Sequence, residues 1–123
     1  MRALVIDDSR SVRIIIGNFL REVGMEVLEA KDGVEALEQV KVNPDVDLLL
    51  VDWNMPQMNG LEFIRAIRGQ RCYDGVRILM VTSEAQGEQV NLALAAGANE
   101  YLMKPFSKEV LMAKLNLLDV LQE

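Results

Sequence analysis

Short runs of apolar residues alternate with longer stretches whose apolar positions recur at helical spacing, from one end of the chain to the other. Ala3-Leu4-Val5-Ile6 reads as a buried strand closed by Asp7 and Asp8. From Ser11 to Val23, the residues Val12, Ile15, Ile16, Phe19 and Val23 mark a helix, which Gly24 stops. Glu26 to Ala30 forms a second strand, and Asp32-Gly33-Val34-Glu35 a capping box that opens a helix to about Val42. Asp47 to Asp52 is a third strand, apolar between its acidic ends. The segment from Asn54 to Gly60 has turn chemistry, and Asn59 with Glu62 caps a helix carrying Leu61, Ile64 and Ile67. Val76 to Thr82, Gln86 to Ala96, and Glu100 to Met103 follow as strand, small-residue helix and strand, and Ser107 caps a last helix with Leu111, Leu115 and Leu118 on one face.

This pattern predicts five strands and five helices in alternation, with strands apolar along their whole length. A parallel sheet covered on both faces requires such strands. The expected fold class is therefore α/β, a doubly wound parallel sheet, and 123 residues suit one domain spanning 1–123. No repeat or linker interrupts it.

Composition narrows the chemistry. A net charge of −6 argues against unaided binding of a nucleic-acid backbone. No apolar run approaches the ~20 residues of a membrane span, and Asp7, Asp8 and Arg10 interrupt any leader-like start, so a cytoplasmic protein without membrane insertion is expected. The single cysteine, Cys72, reads as incidental in a connecting segment and suits a reducing compartment. The chain contains no histidine, which excludes His-based acid–base catalysis, His metal ligands and a phosphohistidine of its own.

Ligands of open parallel sheets bind outside the carboxyl ends of the strands. There the sequence puts Asp7 and Asp8, Asp52, Thr82 and Ser83, and Lys104. Three acids exceed the one lysine by two charges, and converging carboxylates repel unless protonated or bridged by a cation. A hard divalent ion such as Mg²⁺ fits an all-oxygen set of this kind. Separate, solvated strand-end acids are the alternative.

The combination of Asp7-Asp8, Asp52-Trp53-Asn54-Met55-Pro56, Asn59-Gly60, Thr82 and Lys104-Pro105-Phe106, in this order and on these elements, resembles the receiver domains of bacterial response regulators, those of chemotaxis above all. The resemblance covers essentially the whole chain. It implies the flavodoxin-like strand order 2-1-3-4-5. It also implies Asp52 as phosphoacceptor, with Mg²⁺ held by Asp8, Asp52 and the Asn54 carbonyl, and by Asp7 through water. Thr82 and Lys104 would bind phosphoryl oxygens, and Tyr101 would be the aromatic that turns with Thr82. The Lys104-Pro105 bond would be cis, and Asn54 and Glu84 would tune hydrolysis of the phosphorylated state toward a short-lived signal. Such a protein is a phosphoacceptor that assists its own phosphorylation and dephosphorylation rather than an enzyme. Its donor is the phosphohistidine of a sensor kinase or phosphotransfer protein.

The last helix also carries Val110, Met112, Leu117, Val120 and Leu121, more apolar surface than one core stripe needs. An output face on the fourth helix, fifth strand and fifth helix is expected from it, in a monomer or weak dimer, with a broad buried face as the alternative. Trp53 reads as partly exposed packing that reports on the acid site, and Met55, Met58 and Met80 as filler of core or loop. Ser83 reads as a cap of the fourth helix.

Two rivals share parts of this pattern. A flavodoxin would need a hydroxyl- and glycine-rich phosphate loop where Asp7-Asp8-Ser9-Arg10 stands. A haloacid-dehalogenase-type phosphatase would need a second Asp where Ser9 stands, and a cap domain. Within the family, the start at Met1 and the helix near Glu123 favour a free-standing protein over a receiver excised from a larger regulator, and a phosphate sink without output partner is a further alternative.

Overall fold

The computed structural model describes residues 1–83 and 87–120. Five strands, β1 (Arg2–Ile6), β2 (Glu26–Ala30), β3 (Leu48–Asp52), β4 (Arg77–Thr82) and β5 (Glu100–Met103), form one parallel sheet in the order β2-β1-β3-β4-β5. Helices α1 (Arg10–Glu22), α2 (Gly33–Val42), α3 (Gly60–Arg68), α4 (Gly87–Ala96) and α5 (Lys108–Leu117) alternate with them. The doubly wound α/β fold expected from the pattern is the fold observed, with strand order 2-1-3-4-5.

Strand periodicity divides the core into two layers. Leu4, Ile6, Leu49, Val51, Ile78 and Met80 pack on one face with Phe63, Ile64 and Ile67 of α3 and Ala93 of α4. Ala3, Val5, Leu48, Leu50, Leu79 and Leu102 meet Ile16 and Leu20 of α1 and Leu111 and Leu115 of α5 on the other. Both faces of the central strands are thus dry, which accounts for their uninterrupted apolar composition.

Local signals set the helix starts. Ser9, Asp32, Asn59 and Ser107 each accept a hydrogen bond from the backbone N–H three residues on. The Asn59–Glu62 box is complete, with Asn59 N–H donating to Glu62 at 3.1 Å and Glu62 N–H to Asn59 at 2.9 Å. At α2 only half of the expected box forms. Asp32 accepts from Glu35 N–H at 2.8 Å, but the Glu35 carboxylate reaches the N–H of Lys31 instead of that of Asp32.

Helix α1 buries part of the stripe its spacing suggested, with Ile16 in the core and Val12 and Phe19 packed against it. Ile16, Gly17 and Leu20 face the core, while Ile15 and Val23 are exposed. The run Ile14-Ile15-Ile16 offers three adjacent helical faces, and contact with β1 and β2 selects one. A 3₁₀ turn at Arg71–Tyr73, which periodicity did not reveal, carries the exposed Cys72. The assignments of Gln86 as a helix start, of Ser83 as a cap of the fourth helix, and of Leu121 as part of the last apolar face concern positions outside the described residues or dependent on them.

One side chain ties the edge of the molecule where the strands begin. Arg68, at the end of α3, donates to the carbonyls of Gly97 at 3.0 Å, Tyr73 at 2.7 Å, Asp74 at 3.4 Å and Val76 at 2.6 Å, and to Asn99 Oδ1 at 2.9 Å. Burial lowers its pKa. Gly97 sits at φ +118°, and a Cβ there would lie 2.5 Å from Arg68 Cγ, so both conformation and space call for glycine.

Candidate functional site

The pairings β1–β3, β3–β4 and β4–β5 bring the ends of four strands to one rim, with Ile6 beside Val51, Asp52 beside Val81, and Thr82 beside Met103. Order reverses between β1 and β3, which opens the crevice where ligands of such sheets bind. Asp7 and Asp8 leave β1 on one side of it, and Asp52 ends β3 on the other.

Carboxylate oxygens of Asp7, Asp8 and Asp52 all lie within 4.8 Å of one another. At that separation and an effective dielectric of ~20, each pair of full charges repels by about 3 kcal/mol. Asp7 and Asp52 are buried and Asp8 is exposed. Lys104 answers part of the excess. Its ammonium donates to Asp7 Oδ2 at 2.7 Å and, less closely, to Asp52 Oδ1 at 3.5 Å. Burial pulls the Lys104 pKa down, yet the hydrogen bond it donates to Asp7 and the charges of both acids outweigh it, and the net direction is up.

Of the two buried acids, Asp52 is the one Lys104 meets less closely. Burial first, and the charge of Asp7 second, raise its pKa from 3.8 to about 6, against the opposing pull of Lys104 and of a hydrogen bond from the Asn54 backbone. The site thus holds more negative charge than its one lysine neutralises, in an all-oxygen donor set. That is the chemistry of a pocket suited to a hard divalent cation. Asp8 is solvated, but the three acids are not separate, as the alternative reading required.

The surroundings hold Asp52 in place. Trp53 N–H donates to Val81 O at 2.9 Å, and Gly60 N–H to Trp53 O at 3.1 Å. A Cβ on Gly60 would stand 2.7 Å from the Asp52 carbonyl oxygen, so only glycine lets α3 begin against the acceptor strand. Ser9 N–H fixes Asp7 Oδ1 at 2.9 Å. Trp53 is half-buried against the α2–α3–α4 layer with Met55 and Met58, and Met80 is fully buried there.

The remaining expected site residues are arranged around this centre. Thr82 ends β4 fully buried, and its carbonyl accepts from Lys104 N–H at 2.8 Å. Asn54 is exposed in the loop after β3. The Lys104-Pro105 peptide bond is cis. Tyr101 lies half-buried on β5, two residues before the strand's end. Glu84 falls outside the described residues. The apolar surplus expected on the last helix is divided: α5 ends at Leu117, Leu118 and Val120 are buried beyond its end, and Val110 and Leu117 on the helix are exposed.

Two contributors carried no signal in the sequence. Arg13 donates to the Asp7 carbonyl at 2.6 Å and to Glu29 at 3.0 Å, bracing the acidic turn from α1. Lys114 lies over the ring of Tyr101 from α5. Each is a charged residue at a helix position, and only the tertiary partner distinguishes it from a solvated surface charge.

Comparison with known proteins agrees with this geometry. Residues 3–116 match the response regulator receiver domain. A chemotaxis protein CheY homologue of Campylobacter jejuni is 48% identical over 116 residues, covering 94% of this chain and 89% of its own. Chemotaxis protein CheY1 of Helicobacter pylori is 45% identical over 118 residues, covering 95% of each. Among solved structures, the chemotaxis response regulator CheY4 of Vibrio cholerae superposes with a TM-score of 0.89 at 38% identity, covering 95% of this chain and 97% of that one. The chain belongs to the response regulator receiver domain family, the phosphorylation-controlled modules of two-component signalling.

Proposed function

We propose that this chain is a single receiver domain over 1–123 that takes a phosphoryl group on Asp52 from a phosphohistidine and controls a partner in chemotaxis, at the flagellar motor. The observation that carries the reading is the meeting of Asp7, Asp8 and Asp52 at one point of the rim with Lys104 beside them. The chemotaxis assignment is supported by the similarity to CheY proteins of Campylobacter, Helicobacter and Vibrio. The chain's lack of histidine means that the donor is a separate kinase or phosphotransfer protein.

In the transfer, an Asp52 carboxylate oxygen attacks phosphorus as the N–P bond of the donor imidazole breaks, leaving an aspartyl phosphate and a neutral donor histidine. Lys104 lies where it can pair with a phosphoryl oxygen once that group displaces it from Asp7 or Asp52. The buried Thr82, at the end of the neighbouring strand, supplies a hydroxyl on the same side. Asp8 and Asp52, the Asn54 carbonyl, and Asp7 through water are the groups that would hold Mg²⁺. When bound, that ion offsets the repulsion between the incoming phosphoryl group and the acidic pocket.

Hydrolysis returns the system, with water attacking phosphorus and Asp52 leaving as carboxylate. Asn54 and Glu84 tune that step in this reading and favour a short-lived signal. The added charge, about −1.5 to −2, biases Thr82 and Tyr101 and through them the output face on α4, β5 and α5. Exposed Leu117 and Val110 belong to that face. The domain acts in the cytoplasm as a monomer or weak dimer.

The test incubates the protein with Mg²⁺ and a small phosphodonor and maps the added mass. The mass is expected on Asp52, absent from Asp52→Asn, and absent when the divalent ion is chelated. A modification elsewhere, or one indifferent to chelation, refutes the assignment.

A further inference from the structure

Around the edge strand β5 lies a small ionic and aromatic cluster that phosphoryl transfer does not use. Glu100 shares its face of β5 with Leu102, toward α5, while Tyr101 packs on the opposite face with the α2–α3–α4 core. Because β5 is the last strand, a long side chain from α5 can pass around it. Lys114 does so. Its ammonium donates to Glu100 Oε1 at 3.0 Å and stands 4.2 Å from the centroid of the Tyr101 ring. The same Glu100 oxygen accepts the backbone N–H of Tyr101 at 3.1 Å. Both charged side chains are largely covered, Lys114 being 20% and Glu100 24% exposed.

We propose that Lys114 is a positioning residue for Tyr101, held by Glu100 so that its ammonium pins the ring in the orientation seen here. A surface ion pair alone would be worth little. Here the carboxylate is oriented by the backbone of the residue whose ring it serves, and it aims the ammonium at the ring face, where a cation is attracted by the aromatic quadrupole. Turning the ring forfeits that attraction while the Lys114–Glu100 pair stays behind. Lys114 therefore weights the choice between ring orientations and links α5 to β5. Its functional meaning rests on the reading of Tyr101 as the switch aromatic; the pinning itself does not.

The experiment compares the full chain with Lys114→Gln, which removes the charge, and Lys114→Arg, which keeps a cation able to stack on the ring. Tyr101 side-chain rotamers are read by NMR couplings in Mg²⁺ without phosphodonor, with relaxation dispersion for minor states, and the amide spectrum checks folding. The odds of the observed rotamer are expected to fall about two- to five-fold in Lys114→Gln, the equivalent of ~0.5–1 kcal/mol, and to be retained in Lys114→Arg. Unchanged odds in Lys114→Gln, or an equal loss in Lys114→Arg, overturn the proposal. A wild-type ring indifferent to beryllofluoride, an acyl-phosphate mimic, would sink the switch reading instead, a result distinct from either.

Discussion

A single hydrogen at Gly60 sets how closely helix α3 approaches the acceptor strand. The atoms that a Cβ would meet are backbone, Asp52 O at 2.7 Å and Trp53 Cα at 3.0 Å, which cannot rotate away. Gly60→Ala is therefore expected to cost about 1–3 kcal/mol in urea denaturation, the usual range for overpacking. It should also slow labelling of Asp52 by a phosphodonor, since the strain falls on that residue's own backbone. Asp7, Asp8, Asp52 and Lys104 were legible in the sequence because each ends or follows an apolar strand. Arg13 and Lys114 were not. Their roles depend on Asp7 and Tyr101, which lie on other elements, and a long cationic side chain on a helix looks the same whether or not it finds such a partner.

Among the elements, α5 shows how a helix can serve core and surface at once. Leu115 is fully buried, whereas Leu117 is 70% exposed. Leu115→Ala is expected to cost about 2–5 kcal/mol. Leu117→Lys should stay within about 0.5 kcal/mol of the parent, because a cation suits the last turn of a helix. Denaturant midpoints for the two variants check the contrast, and a partner assay on the stable Leu117→Lys protein should then show lost binding. Strands were read more accurately than helix faces. A doubly buried strand announces itself by composition, but α1 and α5 carry apolar residues on more than one side, and only the sheet decides which stripe is covered. The half-formed box at α2 has a similar origin, since Asp32 and Glu35 are correct in type while the Glu35 carboxylate finds a nearer N–H at Lys31.

For the whole molecule, the acid site is a liability in the absence of a cation. The Asp52 pKa is raised to about 6 from 3.8, so between these values the folded chain keeps a proton that the unfolded chain has lost. Stability therefore falls as pH rises through that window and levels off above it. The charged form costs about 3 kcal/mol at neutral pH. In a chelator, Asp52→Asn is expected to be the more stable protein at pH 7 by up to that amount and to match the parent near pH 4. Added Mg²⁺ should narrow the gap at pH 7 by stabilising the parent. Thermal or urea unfolding at the two pH values checks this, and equal stabilities at pH 7 in chelator would count against the repulsion. The topology itself was accessible only in part. Alternation of strand and helix dictates a parallel sheet, but the order 2-1-3-4-5 came from resemblance, because no residue pattern states which strands are neighbours.

The Arg68 latch gives this architecture a direction. By gathering four carbonyls and the Asn99 side-chain oxygen at the rim opposite the acids, one guanidinium ties α3, the start of β4 and the turn into β5 into one heel. A disturbance introduced at the toe has no slack to take up there. Movement provoked at Asp52 is therefore expected on its own side of the molecule, as a lever moves beyond its fulcrum.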